Sequence, residues 1–85
     1  MNKESLPLSE KARSLKLGTY VHYKSPEMKY IVLGIARHSE TLEEMVVYKK
    51  LYDDYSEWVR PLEMFCSEVE VHGTMVPRFT YIGDE

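Results

Sequence analysis

The sequence predicts an all-β fold of about five short antiparallel strands with one short helical turn, and three observations carry that prediction. Two runs, Tyr30 to Ala36 and Val46 to Tyr52, are apolar on both faces and rich in β-branched and aromatic residues, the pattern of strands covered on both sides or strongly curved. The segment that joins them, "RHSETLEE", is polar and too short to hold the helix of a parallel crossover, so the two strands are neighbours in an antiparallel pair. Further on, "LEMFCSEV" places Leu62, Phe65 and Cys66 at i, i+3, i+4, which suits a single helical or 3₁₀ turn plugging one end of a small barrel.

Taken in order, residues 1–16 read as a polar tail or one loose helical turn on the domain edge. Ser9 is placed to cap that turn, and fraying is expected at Met1 to Ser5. Residues 17–85 form a single domain. "LGTYVHYK" is the first strand, and "SPE" supplies the turn after it because Pro26 pre-sets its own φ. With the turn at Ser25 to Glu27, His22 falls roughly opposite Tyr30. Gly34 interrupts the longest strand, "MKYIVLGIARH", and reads as a bend or bulge. "DDY" then makes a tight connection to "SEWVRP", which Pro61 ends by removing a donor. "VEVHGTMVPRFTYI" closes the chain as a hairpin, with Gly73 at the turn and Pro77 where no ladder bond is needed. Short strands joined in this way make a small, strongly bent sheet or SH3-like barrel.

Composition narrows the function classes. The chain of 85 residues is 44% hydrophobic, carries a net charge of −3 and has a single cysteine, Cys66, so no internal disulfide forms and a reducing cytoplasm fits best. The longest apolar run is too short to cross a membrane as a helix. Residues 1–38 hold seven Lys/Arg against three Glu, whereas residues 39–85 hold four against eleven Asp/Glu. No dense basic cluster results, which argues against nucleic acid as the partner. Four scattered glycines make no phosphate loop, and no Cys/His set has zinc spacing, so neither a cofactor nor a metal is expected.

Two groups of residues are candidates for chemistry. In "HSET", His38 and Ser39 are sequence neighbours whose side chains diverge, so they are not a catalytic dyad; Ser39 and Thr41 suit the capping of loop N–H groups. Tyr20 and His22 share one face of the first strand by period two. Trp58, Arg60 and Arg78 form the second group. Each Arg adjoins a proline that fixes its backbone direction, and its guanidinium suits a planar anion, an aromatic face or an internal carboxylate such as Glu40, Glu43, Glu44 or Glu63.

The motifs "YVHYK" (Tyr20 to Lys24), "ARHSET" with "VVYKKLY" (Ala36 to Tyr52), "WVRPLEMF" (Trp58 to Phe65) and "VPRF" (Val76 to Phe79) resemble, in order and spacing, domain-of-unknown-function family 1653, small bacterial proteins. The resemblance implies an SH3-like barrel and carries over no catalytic or binding residue. The chain departs from the family pattern at Val21, where Arg is usual, at Ser25-Pro26, where Gly is usual, and at Ser67, where an acidic residue is usual. The motif's polar members outnumber what a small core needs.

The function expected is therefore that of a binding module. Its site is formed by Tyr20, His22, His38, Glu40, Trp58, Arg60 and Arg78, and its partner is a protein, a peptide or an anionic small molecule, with the chain a monomer or weak homodimer. The alternatives are a small hydrolase using His38 or His22 as base with Glu40 orienting it, and a structural or oligomer-forming domain.

Overall fold

A computed structural model of the chain describes residues 7–83, so the fraying expected at Met1 to Ser5 lies outside the described residues. The elements in order are α1 (Glu10–Ser14), β1 (Gly18–His22), β2 (Ser25–Arg37), β3 (Glu44–Lys50), β4 (Glu57–Pro61), α2 (Leu62–Phe65), β5 (Glu68–Val71), β6 (Thr74–Pro77) and β7 (Phe79–Gly83). No helix among the described residues is long and apolar enough to cross a membrane.

Helix α1 starts where the cap was expected, with Ser9 in extended backbone and its hydroxyl accepting the Ala12 N–H at 3.1 Å. Five residues are too few for a helix to persist alone. Two attachments hold this one: Ala12 is buried in the core, and both the N–H and the hydroxyl of Ser9 donate to the Glu44 carboxylate at 2.7 Å. Those two bonds, the backbone one foremost, pull the Glu44 carboxyl below its ordinary range, with Arg37 assisting.

The doubly apolar runs are strands and pair antiparallel, from Tyr30↔Lys50 to Arg37↔Glu44. The register slips between Val32 and Gly34, so the bulge predicted at Gly34 is present. The first turn is displaced from its predicted place. It consists of Tyr23 and Lys24, with His22 opposite Ser25, while Tyr30 faces Tyr20 rather than His22. Ser25 to Glu27 instead belong to β2, where the pairing jumps from Val21↔Lys29 to His22↔Ser25. The missing N–H of Pro26 falls in that irregular stretch, and the Ser25 hydroxyl satisfies the Glu27 N–H at 3.2 Å.

The class is all-β, but the described residues form no closed barrel. Five strands make one open antiparallel sheet in the order β4-β3-β2-β1-β7, and β5 and β6 make a separate two-stranded ribbon. The described residues form seven strands where five or so were expected, because the segment read as one closing hairpin contains three. Proline explains the division: Pro61 ends β4 and sends the chain into α2, and Pro77 ends β6. At Arg78 the chain crosses between sheets, its N–H donating to Ser67 O at 2.9 Å and its C=O accepting the Tyr23 N–H at 3.0 Å. The strands that could have closed a barrel on β4 are used in the ribbon and at the β1 edge.

The core lies on one face of the five-stranded sheet, under α2, and is mainly aromatic. Phe65 of α2 stacks on Phe79 of β7 at a centroid distance of 4.2 Å and an interplanar angle of 4°, and Tyr20, Tyr30 and Tyr48 pack edge-on or tilted around that pair. Large rings suit so short a chain, since each buries roughly 150–250 Å².

Candidate functional site

Period two puts Tyr48 and Lys50 of β3 on the inner, core-facing side of the sheet. The ladder aligns Tyr30 with Lys50, Tyr48 with Trp58 and Val46 with Arg60. At the β4 edge of this face, beyond the buried rings, Tyr30, Tyr48, Lys50, Trp58 and Arg60 line a cavity of about 200 Å³. That is room for about seven water molecules, enough for a carboxylate-bearing side chain or a small anion and too little for a large cofactor.

Each wall is fixed from within the protein. The Arg60 guanidinium donates from Nε to the Tyr48 hydroxyl at 3.2 Å, and its central carbon lies 5.5 Å from the Phe79 ring centroid. Trp58 donates from Nε1 to the Ser56 hydroxyl at 2.6 Å, and that hydroxyl donates to Asp54 at 2.8 Å. Its indole is therefore oriented although half of it is exposed. The Asp54 carboxyl lies below its ordinary range, chiefly through the Ser56 hydroxyl and N–H and then through Lys50. The Lys50 ammonium is 5.8 Å from the Trp58 ring and 5.2 Å from the Tyr52 ring, and pairs with Asp53 at 3.4 Å and Asp54 at 3.8 Å. Tyr30 shares a 2.5 Å hydroxyl bond with Tyr52, and burial first, then that bond, holds its phenol well above the usual range.

His22 adjoins the cavity through Tyr30, at 6.4 Å between centroids, and through Phe79, at 5.1 Å. Burial pushes its imidazole below the ordinary range, and Lys24, Arg60 and Arg78 push the same way. The Arg78 Nε donates to the Ser67 hydroxyl at 3.0 Å. Neither Arg60 nor Arg78 pairs with a carboxylate among the described residues, whose ion pairs involve Lys11, Arg37 and Lys50.

Of the residues singled out by sequence, Trp58 and Arg60 line the cavity and His22 packs beside it, while Arg78 lies in the connection between β6 and β7, bonded to Ser67, outside the cavity wall. Tyr20 lies in the core, its hydroxyl donating to Lys16 O at 2.7 Å. His38 and Glu40 sit in the β2–β3 turn, at the far end of β2 from His22 and separated from it by about 30–40 Å of extended chain. There "HSET" behaves as a polar turn. His38 Nδ1 accepts the N–H groups of Glu40 at 3.1 Å and Thr41 at 3.3 Å, and the Thr41 hydroxyl accepts the Glu43 N–H at 3.2 Å. Backbone donors orient the His38 ring, and the Glu40 carboxylate is not its partner. Tyr30, Tyr48 and Lys50 were not foreseen as site residues. The available signal was the alternation Val46, Tyr48, Lys50, which places a cation on the same face as two core residues.

A family model described as "Protein of unknown function (DUF1653)" matches residues 18–81, which include β1 to β6 and most of β7. The chain belongs to the DUF1653 family. Among solved structures, a DUF1653 protein from Bordetella bronchiseptica is similar at 34% identity with a TM-score of 0.78, covering 87% of this chain and 95% of that one. No curated protein matches. Within this DUF1653 chain Ser67 bears directly on Arg78. Position 67 faces the Arg78 guanidinium, and a serine there bonds it without neutralising it.

Proposed function

We propose that this DUF1653 domain is a non-enzymatic binding module whose inner-face cavity takes the anionic group of a peptide or small molecule. The observation that carries the reading is Arg60: a guanidinium held by Tyr48 and Phe79 at the wall of an open cavity, with no carboxylate paired to it among the described residues. Charge-assisted hydrogen bonds to such a group contribute about 1.5–3 kcal/mol. Arg78, beyond His22, and Lys50 at the cavity wall add positive potential, while the Trp58 and Tyr48 rings offer rigid apolar area at low rotamer entropy.

Titration with N-acetyl-glutamate methylamide and with inorganic phosphate, followed by the emission of the chain's single tryptophan and by backbone amide shifts, tests the reading. Saturable changes at Trp58, Arg60 and Lys50, weakened roughly 10- to 100-fold by Arg60→Gln, are expected. Shift changes spread over the surface, or the same affinity in Arg60→Gln, would remove it.

A further inference from the structure

We infer that β4 is a docking edge for an extended acidic peptide, which adds as a sixth strand and places one carboxylate in the Arg60 cavity; this rests on the anion-binding reading above and names its ligand class. Strand β4 ends the five-stranded sheet, so one side of its backbone pairs with no strand. The Lys50 N–H donates to Ser56 O at 2.9 Å, and antiparallel ladders alternate their bonded pairs. Ser56, Trp58 and Arg60 therefore turn their backbone groups toward β3, and Glu57 and Val59 turn N–H and C=O outward. Trp58 is 52% exposed and Val59 57% exposed, so nothing covers this edge among the described residues.

The two faces of the edge differ in chemistry. On the inner face is the cavity with Arg60 and Lys50, and on the outer face a shallow groove is lined by Val47, Glu57, Trp58 and Val59. Side chains of an added strand alternate between faces. The matching sequence is an acidic residue between two apolar ones, its carboxylate toward Arg60 and its neighbours on Val47 and Val59. Charge complementarity selects the acidic residue, because the Arg60 guanidinium has no carboxylate partner among the described residues. In antiparallel register the peptide residues opposite Glu57 and Val59 are the apolar ones, so their amides, and not that of the acidic residue, face β4.

The test uses acetyl-Thr-Val-Glu-Val-Thr-amide, read by Trp58 emission and amide shifts, beside N-acetyl-glutamate methylamide. The pentapeptide is expected to bind at least tenfold tighter than the single residue. N-methylation of both valine amides is expected to abolish that gain, and N-methylation of the glutamate amide to leave it within threefold. Val59→Pro, which removes an outward N–H and the valine side chain of the outer groove but touches nothing in the Arg60 cavity, is expected to lose the peptide gain while keeping the single-residue affinity. If the single residue binds and the pentapeptide is no tighter, or if valine methylation is tolerated, the edge inference falls and the anion site stands. If neither ligand binds, the anion reading falls and takes this inference with it. Sedimentation showing a dimer that Val59→Pro dissociates would put a second copy on the edge and overturn the peptide assignment.

Discussion

Arg60 illustrates how much of the site is assembled before any ligand arrives. Its guanidinium is aimed by one hydroxyl and one ring, so truncation to Gln removes charge without opening the core. The expected cost in stability is under about 1 kcal/mol, against loss of most anion affinity. His22 behaves differently because its ring is half-buried near three cations. Its folded pKa lies below the unfolded value of about 6.5, so the unfolded chain binds the proton more readily. The neutral ring therefore contributes stability that is present above about pH 6.5 and is lost as pH falls through the folded value. Unfolding titrations between about pH 7 and 5 are expected to show this decline, and His22→Gln to flatten it. An anion at Arg60 offsets the cations that lower His22, so binding takes up a proton and affinity rises over the same acidification. Pairing two residues by period two was possible from sequence at this scale, as with Tyr20 and His22. Which of them faced a cavity was not, because that depends on Phe65 and Tyr81 covering Tyr20.

At the scale of elements, local chemistry was legible where one residue type had one use. Ser9 capped α1, Gly34 lay at the bulge and Gly73 turned the ribbon hairpin at φ +82°. The two glycines predict opposite outcomes. Gly73→Ala forces a side chain into left-handed backbone and is expected to cost about 1–2 kcal/mol, whereas a Cβ at Gly34 meets nothing within 4 Å and φ there is not left-handed. Gly34→Ala is expected to be neutral or to stabilise by about 0.5 kcal/mol, measured by urea unfolding at unchanged slope. Ser9→Ala removes the cap and one Glu44 bond together and is expected to cost about 1–2 kcal/mol, seen as a fall in Tm of roughly 4–8 °C per kcal/mol. Ser25-Pro26 misled because proline's turn preference is a local propensity. The β1 ladder and the bulged pairing at Pro26 overrode it.

The whole molecule pairs a two-stranded ribbon with an open five-stranded sheet, whose inner face is sealed at its centre by Phe65 and left open at the β4 end, where β4 pairs with no further strand among the described residues. Alternation and apolar runs announced an all-β chain with β2 beside β3. They could not announce closure, which depends on where Pro61 and Pro77 send the chain after β4 and β6. Spacing along the ladder already put His38 too far from His22 to touch it; what spacing could not tell was whether curvature of β2 brings the two together, and in the structure they stay at opposite ends of that strand. Phe65→Ala is expected to cost about 3–5 kcal/mol, a large share of the roughly 5–15 kcal/mol that holds a domain together. Whether the inner-face cavity at Arg60 takes an anion is read by an amide-shift titration of the folded chain with N-acetyl-glutamate methylamide at pH 6. Saturable shifts confined to Tyr30, Tyr48, Lys50, Trp58, Arg60 and His22, absent in Arg60→Gln, are the predicted result; shifts that leave these residues unmoved, or that persist in Arg60→Gln, contradict it.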